Sequence, residues 1–294
     1  MMPAAPPPTT RRRLWTIPCG RHLLELGSRT LIMGVVNVTP DSFSDGSPNT
    51  DTVVAHALRL AADGADLLDI GGESTRPGAQ PVPQDEELER VLPVIQALAS
   101  RARIPLSIDT SKAVVARAAL EAGAHLVNDV TALRGDPAMS SVIAQHHAPV
   151  ILMHMAGTPQ TMQRAPRYDD VAAEVCAFLS EAMTRAAAHG IDRERILLDP
   201  GIGFGKALEH NLALIAQLAS LASLGRPLVI GPSRKSFLGQ LTGRPVEERV
   251  WGTAAAVAIA AWQGVAIVRV HDVAAMRDVV RVVDALQGGV RASD

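Results

Sequence analysis

"PLSIDTSKAVVARAALEAGAHLVNDV", residues 105–130, holds two short apolar runs that each end abruptly in polar residues: Ser107, Asp109 and Thr110 after the first, Asn128 and Asp129 after the second. Apolar runs of this length, rich in β-branched residues and bounded by turn signals, read as strands buried on both faces. The Ala-rich segment between them, 112–121, stops at Gly123 and reads as a helix. A strand–helix–strand crossover is right-handed, so the two strands lie parallel and their polar ends share one edge.

The unit repeats along the chain. Strands are predicted at 30–38, 65–71, 104–109, 125–130, 149–155, 195–201, 227–233 and 265–272, with further helices at 52–63, 85–100, 172–188, 208–221, 246–263 and 273–286. Several helices end at a Gly that supplies the left-handed cap returning the chain to a strand, as in "ADGADLLDI" and "EAGAHLVND". Eight alternations with no spare strand predict a single (β/α)8 TIM barrel, whose site lies at the carboxyl ends of the strands. A doubly wound open sheet is the structural alternative. Residues 14–26, with a Pro18-Cys19-Gly20 turn, are expected to form an N-terminal β-hairpin covering the barrel floor. Residues 1–13, Pro-rich and then basic, are expected to be a disordered tail, leaving 14–290 as the barrel domain.

Composition narrows the function. The 294 residues are 47% hydrophobic and carry a formal charge of −2, from 28 basic and 30 acidic side chains. The basic residues are scattered apart from Arg11 to Arg13, which disfavours a nucleic-acid surface. No stretch is long and apolar enough to span a membrane, and no secretory h-region follows Arg13. Cys19 and Cys176 are far apart and lack CxxC spacing, so neither a disulfide framework nor a zinc site is indicated, and a cytoplasmic setting fits best. Small-molecule chemistry is the expectation.

Aligning the strand ends gives Asn37, Asp69, Asp109, Asn128, Met153 with His154, Asp199, Lys235, and Arg269 with His271. Any one Asp could be a helix cap or half of an ion pair. A ring of such groups at one barrel mouth implies a polar ligand, because buried charges must be paired or bound. Two long Gly/Pro/Ser-rich connections, 37–51 and 71–87, have the character of lids or binding loops. "DPGIGFGKALEHN", 199–211, lacks the phosphate-loop pattern because Ala207 follows Lys206, and its glycines suit close passage of backbone past a flat ligand. "GPSRKSFLG", 231–239, places a cation and backbone amides before a helix, where an anion is favoured.

In NVTPDSFSDG, DIGGESTRPGA, SIDT, VND, LMHMAGTPQTMQ, DPGIGFGK, GPSRKSFLG and RVHDV, in that order over residues 30–286, the chain resembles the dihydropteroate synthase family of pterin-binding barrels. The resemblance implies condensation of 6-hydroxymethyl-7,8-dihydropterin diphosphate with 4-aminobenzoate, with Mg²⁺, in a homodimer inhibited by sulfonamides. It places the pterin at Asp109, Asn128, Met153, Asp199 and Lys235. It places the diphosphate at Thr75, Arg76, Arg269 and His271, with Asn37 reaching it through Mg²⁺. It places the aminobenzoate at Phe43, Thr75, Pro77, Phe204 and Ser233, with the catalytic burden on Lys235, Arg269 and His271. Ser47 and Pro48 stand where the family often has a second Gly, which puts the first loop's contacts in question. Two rivals remain: a methyltetrahydrofolate methyltransferase of the same barrel type, and a non-catalytic pterin-binding paralogue. Neither has a use for a diphosphate clamp. Asp129 is expected to be structural.

Overall fold

The computed structural model describes residues 12–39 and 49–288. Eight parallel strands follow one another around a barrel: β3 (Leu31–Asn37), β4 (Leu67–Gly71), β5 (Leu106–Asp109), β6 (Leu126–Asp129), β7 (Val150–Met153), β8 (Ile196–Asp199), β9 (Val229–Ile230) and β10 (Ile267–Val270). β10 pairs with both β3 and β9, and a single parallel bridge between Leu198 and Leu228 closes the ring between β8 and β9. This seam is also joined by Leu198 N–H to Pro227 O at 3.0 Å and by Arg226, whose Nε donates to Ile196 O at 3.0 Å.

Period-two alternation decides what faces the interior. Ile32, Leu68, Ile108, Val127, Leu152, Leu198 and Val268 point outward into the layer beneath the helices. Leu31, Met33, Leu67, Leu126, Ile151, Leu197, Val229 and Ile267 point inward near the strand starts. The next inward positions up the same strands are Asp69, Asp109, Asn128, Met153, Asp199 and Arg269, which lifts every one of them to the mouth. The antiparallel hairpin of β1 (Trp15–Cys19) and β2 (His22–Leu26) plugs the opposite end, packing Ile17, Cys19, Leu24 and Leu26 onto the inward apolar layer.

The helices of the outer ring are α1 (Thr50–Ala62), α2 (Gln84–Ala99), α3 (Ala113–Ala122), α4 (Met139–Gln145), α5 (Val171–Ala188), α6 (Leu208–Ala216), α7 (Ser236–Thr242), α8 (Val250–Trp262) and α9 (Val273–Leu286). Gly123 closes α3 at φ 113°, the cap expected from its sequence. The helix expected over 208–221 breaks after Ala216 and continues as a 3₁₀ segment, Leu218–Leu224. Gln263 is the cause: its side chain donates to Ile215 O at 2.5 Å and accepts from Ala219 N–H at 3.2 Å, intercepting the bond that would have continued the α-ladder. The helix expected over 246–263 likewise begins with a separate tight turn, Val246–Glu248, and its α-ladder starts at Thr253 N–H to Arg249 O. The seven-residue α4 is absent from the sequence-based expectation.

Of the tail expected over 1–13, Arg12 and Arg13 are described, and Arg12 is anchored: it pairs with buried Asp284 at 2.8 Å and donates to Ala261 O at 2.6 Å. Phe43, Ser47 and Pro48 lie outside the described residues.

Candidate active site

The mouth contains a cavity lined by Thr75, Asp109, Asn128, Met153, Asp199, Phe204, Lys235 and Arg269, among others. At its base is a buried ionic network. Arg269 donates from Nε to Asp69 Oδ2 at 2.6 Å and from Nη2 to Asp109 Oδ2 at 2.8 Å, and Asn128 Nδ2 donates to the same Asp69 oxygen at 2.9 Å. Asp69 has no solvent exposure and does not line the cavity; it orients the two residues that do. Asp109 keeps a buried oxygen, Oδ1, without a hydrogen-bond partner. An unmatched carboxylate oxygen at a cavity wall is a place for a ligand N–H.

Burial pushes Asp109 up to about 7, against the pull of Arg269, and also raises Asp199. Burial drives Lys235 down to about 7, partly offset by Asp199. For Arg269 burial works downward, but Asp69 and Asp109 together hold it above the usual arginine value. Acid and base with displaced pKa values in one cavity are characteristic of a working site.

Lys235 follows Arg234, a non-glycine residue at φ 57°. That conformation is costly and must be imposed by surroundings. Thr253 Oγ1 takes the Arg234 N–H at 3.1 Å, Arg249 donates to its carbonyl at 3.0 Å, and its guanidinium forms two bonds to Asp272. Lys235 then reaches across the mouth to donate to Ile202 O at 2.7 Å, with Nζ 3.9 Å from the centroid of the Phe204 ring. Gly203 is obligatory beneath it, since a Cβ there would stand 2.7 Å from Lys235 Cδ at a backbone φ of +82°.

His271 sits beyond β10. Ser233 Oγ accepts the His271 backbone N–H at 3.2 Å and lies 3.0 Å from Nδ1. The serine oxygen thus holds both the backbone and the ring of His271 in place. Burial and then Arg269 lower His271 to about 3, so the ring is neutral.

Thr75 is half-buried, whereas Arg76 and Pro77 are exposed in the loop after β4. That loop is tied to the loop after β7 by Gly78 N–H to Pro159 O at 2.9 Å. Ser233 is buried beside His271 and is not part of the cavity lining. The mouth therefore brings together Asp109, Asn128, Met153, Asp199, Lys235, Arg269, Thr75 and Phe204, while Arg76 and Pro77 stand outside it. Asp129, one residue from Asn128, faces outward and accepts from Thr131 N–H and Oγ1–H and from Leu133 N–H.

Asn37 ends β3 on the inward register, half-buried. Among the described residues, no group of three or more His, Cys, Asp or Glu could hold a metal ion. A lone amide oxygen is too little for an all-protein site, but it suits Mg²⁺, which keeps water and takes ligands from substrate phosphates.

Fold and mouth together define a barrel enzyme for a small polar ligand. The family model described as pterin binding enzyme matches residues 33–271. The chain is 50% identical over 273 residues to a dihydropteroate synthase of Synechocystis sp., covering 92% of this chain and 94% of the relative. It is similar to Xanthomonas albilineans dihydropteroate synthase solved with 4-aminobenzoic acid, at 50% identity and TM-score 0.88, covering 94% of this chain and 99% of the other. The same enzyme in complex with 7,8-dihydropteroate gives 48% identity and TM-score 0.84, covering 92% and 98%. The chain belongs to the pterin-binding enzymes and, within them, to the dihydropteroate synthases.

Proposed function

We propose that this mouth condenses 6-hydroxymethyl-7,8-dihydropterin diphosphate with 4-aminobenzoate, giving 7,8-dihydropteroate and diphosphate. The observation that carries the reading is a single cavity in which a buried acceptor edge (Asp109, Asp199), an amide (Asn128) and two cations (Lys235, Arg269) surround the thioether of Met153. A pterin presents ring N–H and amino donors beside O and N acceptors in one plane. The carboxylates take its donors, including the unmatched Asp109 Oδ1, and Asn128 and Lys235 meet its acceptors.

In the reaction the methylene C–O bond breaks and its electron pair leaves with diphosphate. The arylamine lone pair forms the new C–N bond, and the nitrogen releases one proton. Aniline nitrogen is a free base near neutrality, so no side-chain nucleophile is required. Orientation and charge stabilisation supply the rate. Arg269 and neutral His271 face the leaving group with Thr75, and Arg76, exposed in the loop after β4, is assigned to the same side by resemblance. Phe204 and Thr75 wall the aminobenzoate, Pro77 and Phe43 are assigned to the same ring by resemblance alone, and its carboxylate is directed towards Ser233 and the start of α7; sulfonamides compete there. Asn37 would hold Mg²⁺ together with substrate oxygens, and the ion when bound neutralises charge on the diphosphate.

A homodimer completes the reading. Trp251 and Trp262, 82% and 46% exposed and eleven residues apart on one face of α8, are joined by Val282 and Leu286, 60% and 71% exposed, on α9, which packs beside α8. An apolar face of that kind marks an interaction surface, and a second copy of the chain is the occupant proposed here. Among the described residues no helix is long and apolar enough to cross a membrane, and both cysteines are unpaired, which supports a cytoplasmic enzyme.

The test is diphosphate release on mixing both substrates with Mg²⁺. Release that depends on aminobenzoate is expected. Release without aminobenzoate, or none, would overturn the reading and favour a methyltransferase or a binding protein.

A further inference from the structure

Lys206 is buried to 2% exposure, yet it does not line the mouth cavity, and among the described residues no carboxylate is hydrogen-bonded to it. In its protonated form, its three ammonium hydrogens are matched by three acceptors: His154 Nδ1 at 2.8 Å, Gly201 O at 2.9 Å and Phe204 O at 3.0 Å. Two of these belong to the loop that Lys206 itself ends, and the third to the residue following β7. The lysine head thus folds back under its own loop and fastens it to the neighbouring strand. Lys206 also explains the state of His154. The imidazole must offer a lone pair at Nδ1, and burial followed by the Lys206 charge lowers it to about 3, leaving it neutral.

The loop from 201 to 206 has no repeating structure, but each of its six carbonyls accepts a hydrogen bond. Besides the two held by Lys206, Ile202 O takes Lys235, Gly203 O takes Gln163 at 2.8 Å, Gly205 O takes the Tyr168 hydroxyl at 2.8 Å, and Lys206 O takes Asn211 at 3.2 Å. Glycines at 201, 203 and 205 all adopt positive φ, which lets the loop press onto the end of β7; a Cβ on Gly201 would stand 1.9 Å from His154 O. Irregular backbone this thoroughly satisfied is backbone with one position. What it presents to the mouth is the Phe204 ring and the Ile202 carbonyl that steers Lys235.

We infer that Lys206 is a positioning residue for the aminobenzoate half of the site, holding the Phe204 wall and, through Ile202 O, the direction of Lys235. The inference rests on the synthase reading of the mouth. It separates the two substrates in degree: the pterin edge formed by Asp109 and Asn128 is built on β5 and β6, and of the pterin contacts only Lys235 is tied to this loop, whereas the whole Phe204 wall is.

Lys206→Met keeps the length and apolar stem but leaves two carbonyls and one imidazole nitrogen without a donor. In the full-length chain, KM for aminobenzoate should rise about tenfold or more, since a wall displaced by an ångström disorders the attacking ring. KM for the pterin diphosphate should stay within about threefold, because Asp109, Asn128 and Met153 persist and Lys235 is the one pterin contact loosened. Equal changes in both constants, or a lowered melting temperature with neither constant changed, would overturn the inference. Should Lys206→Met fail to fold, His154→Leu removes only one of the three acceptors; the same split is then expected at about threefold for aminobenzoate, and unchanged constants would overturn the inference. A wild-type protein without aminobenzoate-dependent diphosphate release fails at the earlier step, sinking the synthase reading and this inference with it before either variant is compared.

Discussion

Asp69→Ala is expected to weaken the whole molecule as well as the site. The Asp69 carboxylate has no exposure, and one oxygen accepts from Arg269 Nε at 2.6 Å and from Asn128 Nδ2 at 2.9 Å. Deleting it removes a hydrogen bond to a charged donor, about 1.5–3 kcal/mol, and leaves a buried amide donor unmatched, about 1–3 kcal/mol. Arg269 retains Asp109 at 2.8 Å and is not stranded. The combined loss of about 3–5 kcal/mol falls in the range for removing one partner of a buried pair. Urea unfolding at alkaline pH, where Asp109 is ionised, measures it as a fall in midpoint at constant m. Asp69→Asn can keep an oxygen in the accepting position while losing the charge, so it should cost about half as much. A loss below about 1 kcal/mol for Asp69→Ala, the low end of a single hydrogen bond, or equal costs for the two variants, would refute the two-bond account of this residue.

Lys235→Ala and Arg269→Ala should each lower turnover about a hundredfold or more, as loss of charge-stabilising groups does, with circular dichroism unchanged; near-wild-type rates in either would remove that residue from the chemistry. If turnover needs anionic Asp109 and cationic Lys235, as proposed, then because burial brings both to about 7, kcat/KM should follow a narrow bell centred near neutrality. A flat profile through that region speaks against the pair. The signs for folding run separately. Asp109, raised in the folded state, favours folding most in acid and loses that contribution as pH climbs towards about 7; Lys235, depressed, contributes most in alkali and loses it as pH falls towards about 7. Asp129→Ala should cost about 3 kcal/mol through three lost bonds that hold Ala132 and Leu133 at positive φ. Thermal unfolding reads that loss, and a shifted KM would contradict its outward placement.

The barrel was legible because its signal is redundant: eight apolar runs, each ending in a polar residue and each followed by a helix. Alternation within those runs already separates inward Asn128 from outward Asp129. Asp69 stood among the polar strand ends, yet nothing in sequence distinguishes a carboxylate that meets a ligand from one that aims an arginine two strands away. Lys206 read only as the end of a failed phosphate motif, since its acceptors are backbone carbonyls and carry no residue type. The break after Ala216 was invisible because Gln263 causes it from forty-seven positions further on. Arg76 and Pro77 were placed by resemblance, and a loop's path is where local sequence constrains least.

The closure between β8 and β9 has a mechanical side. A parallel barrel is ordinarily a continuous hoop of backbone hydrogen bonds, but here the hoop meets itself through one bridge and a two-residue strand. Side chains rivet the joint at both ends. Arg226 spans it below, donating to Ile196 O and Glu194 O, and Lys235 spans it above, donating to Ile202 O. The lysine proposed to meet the substrate is also the upper fastener of the barrel wall. The mouth and the least stitched part of the hoop therefore share one side chain.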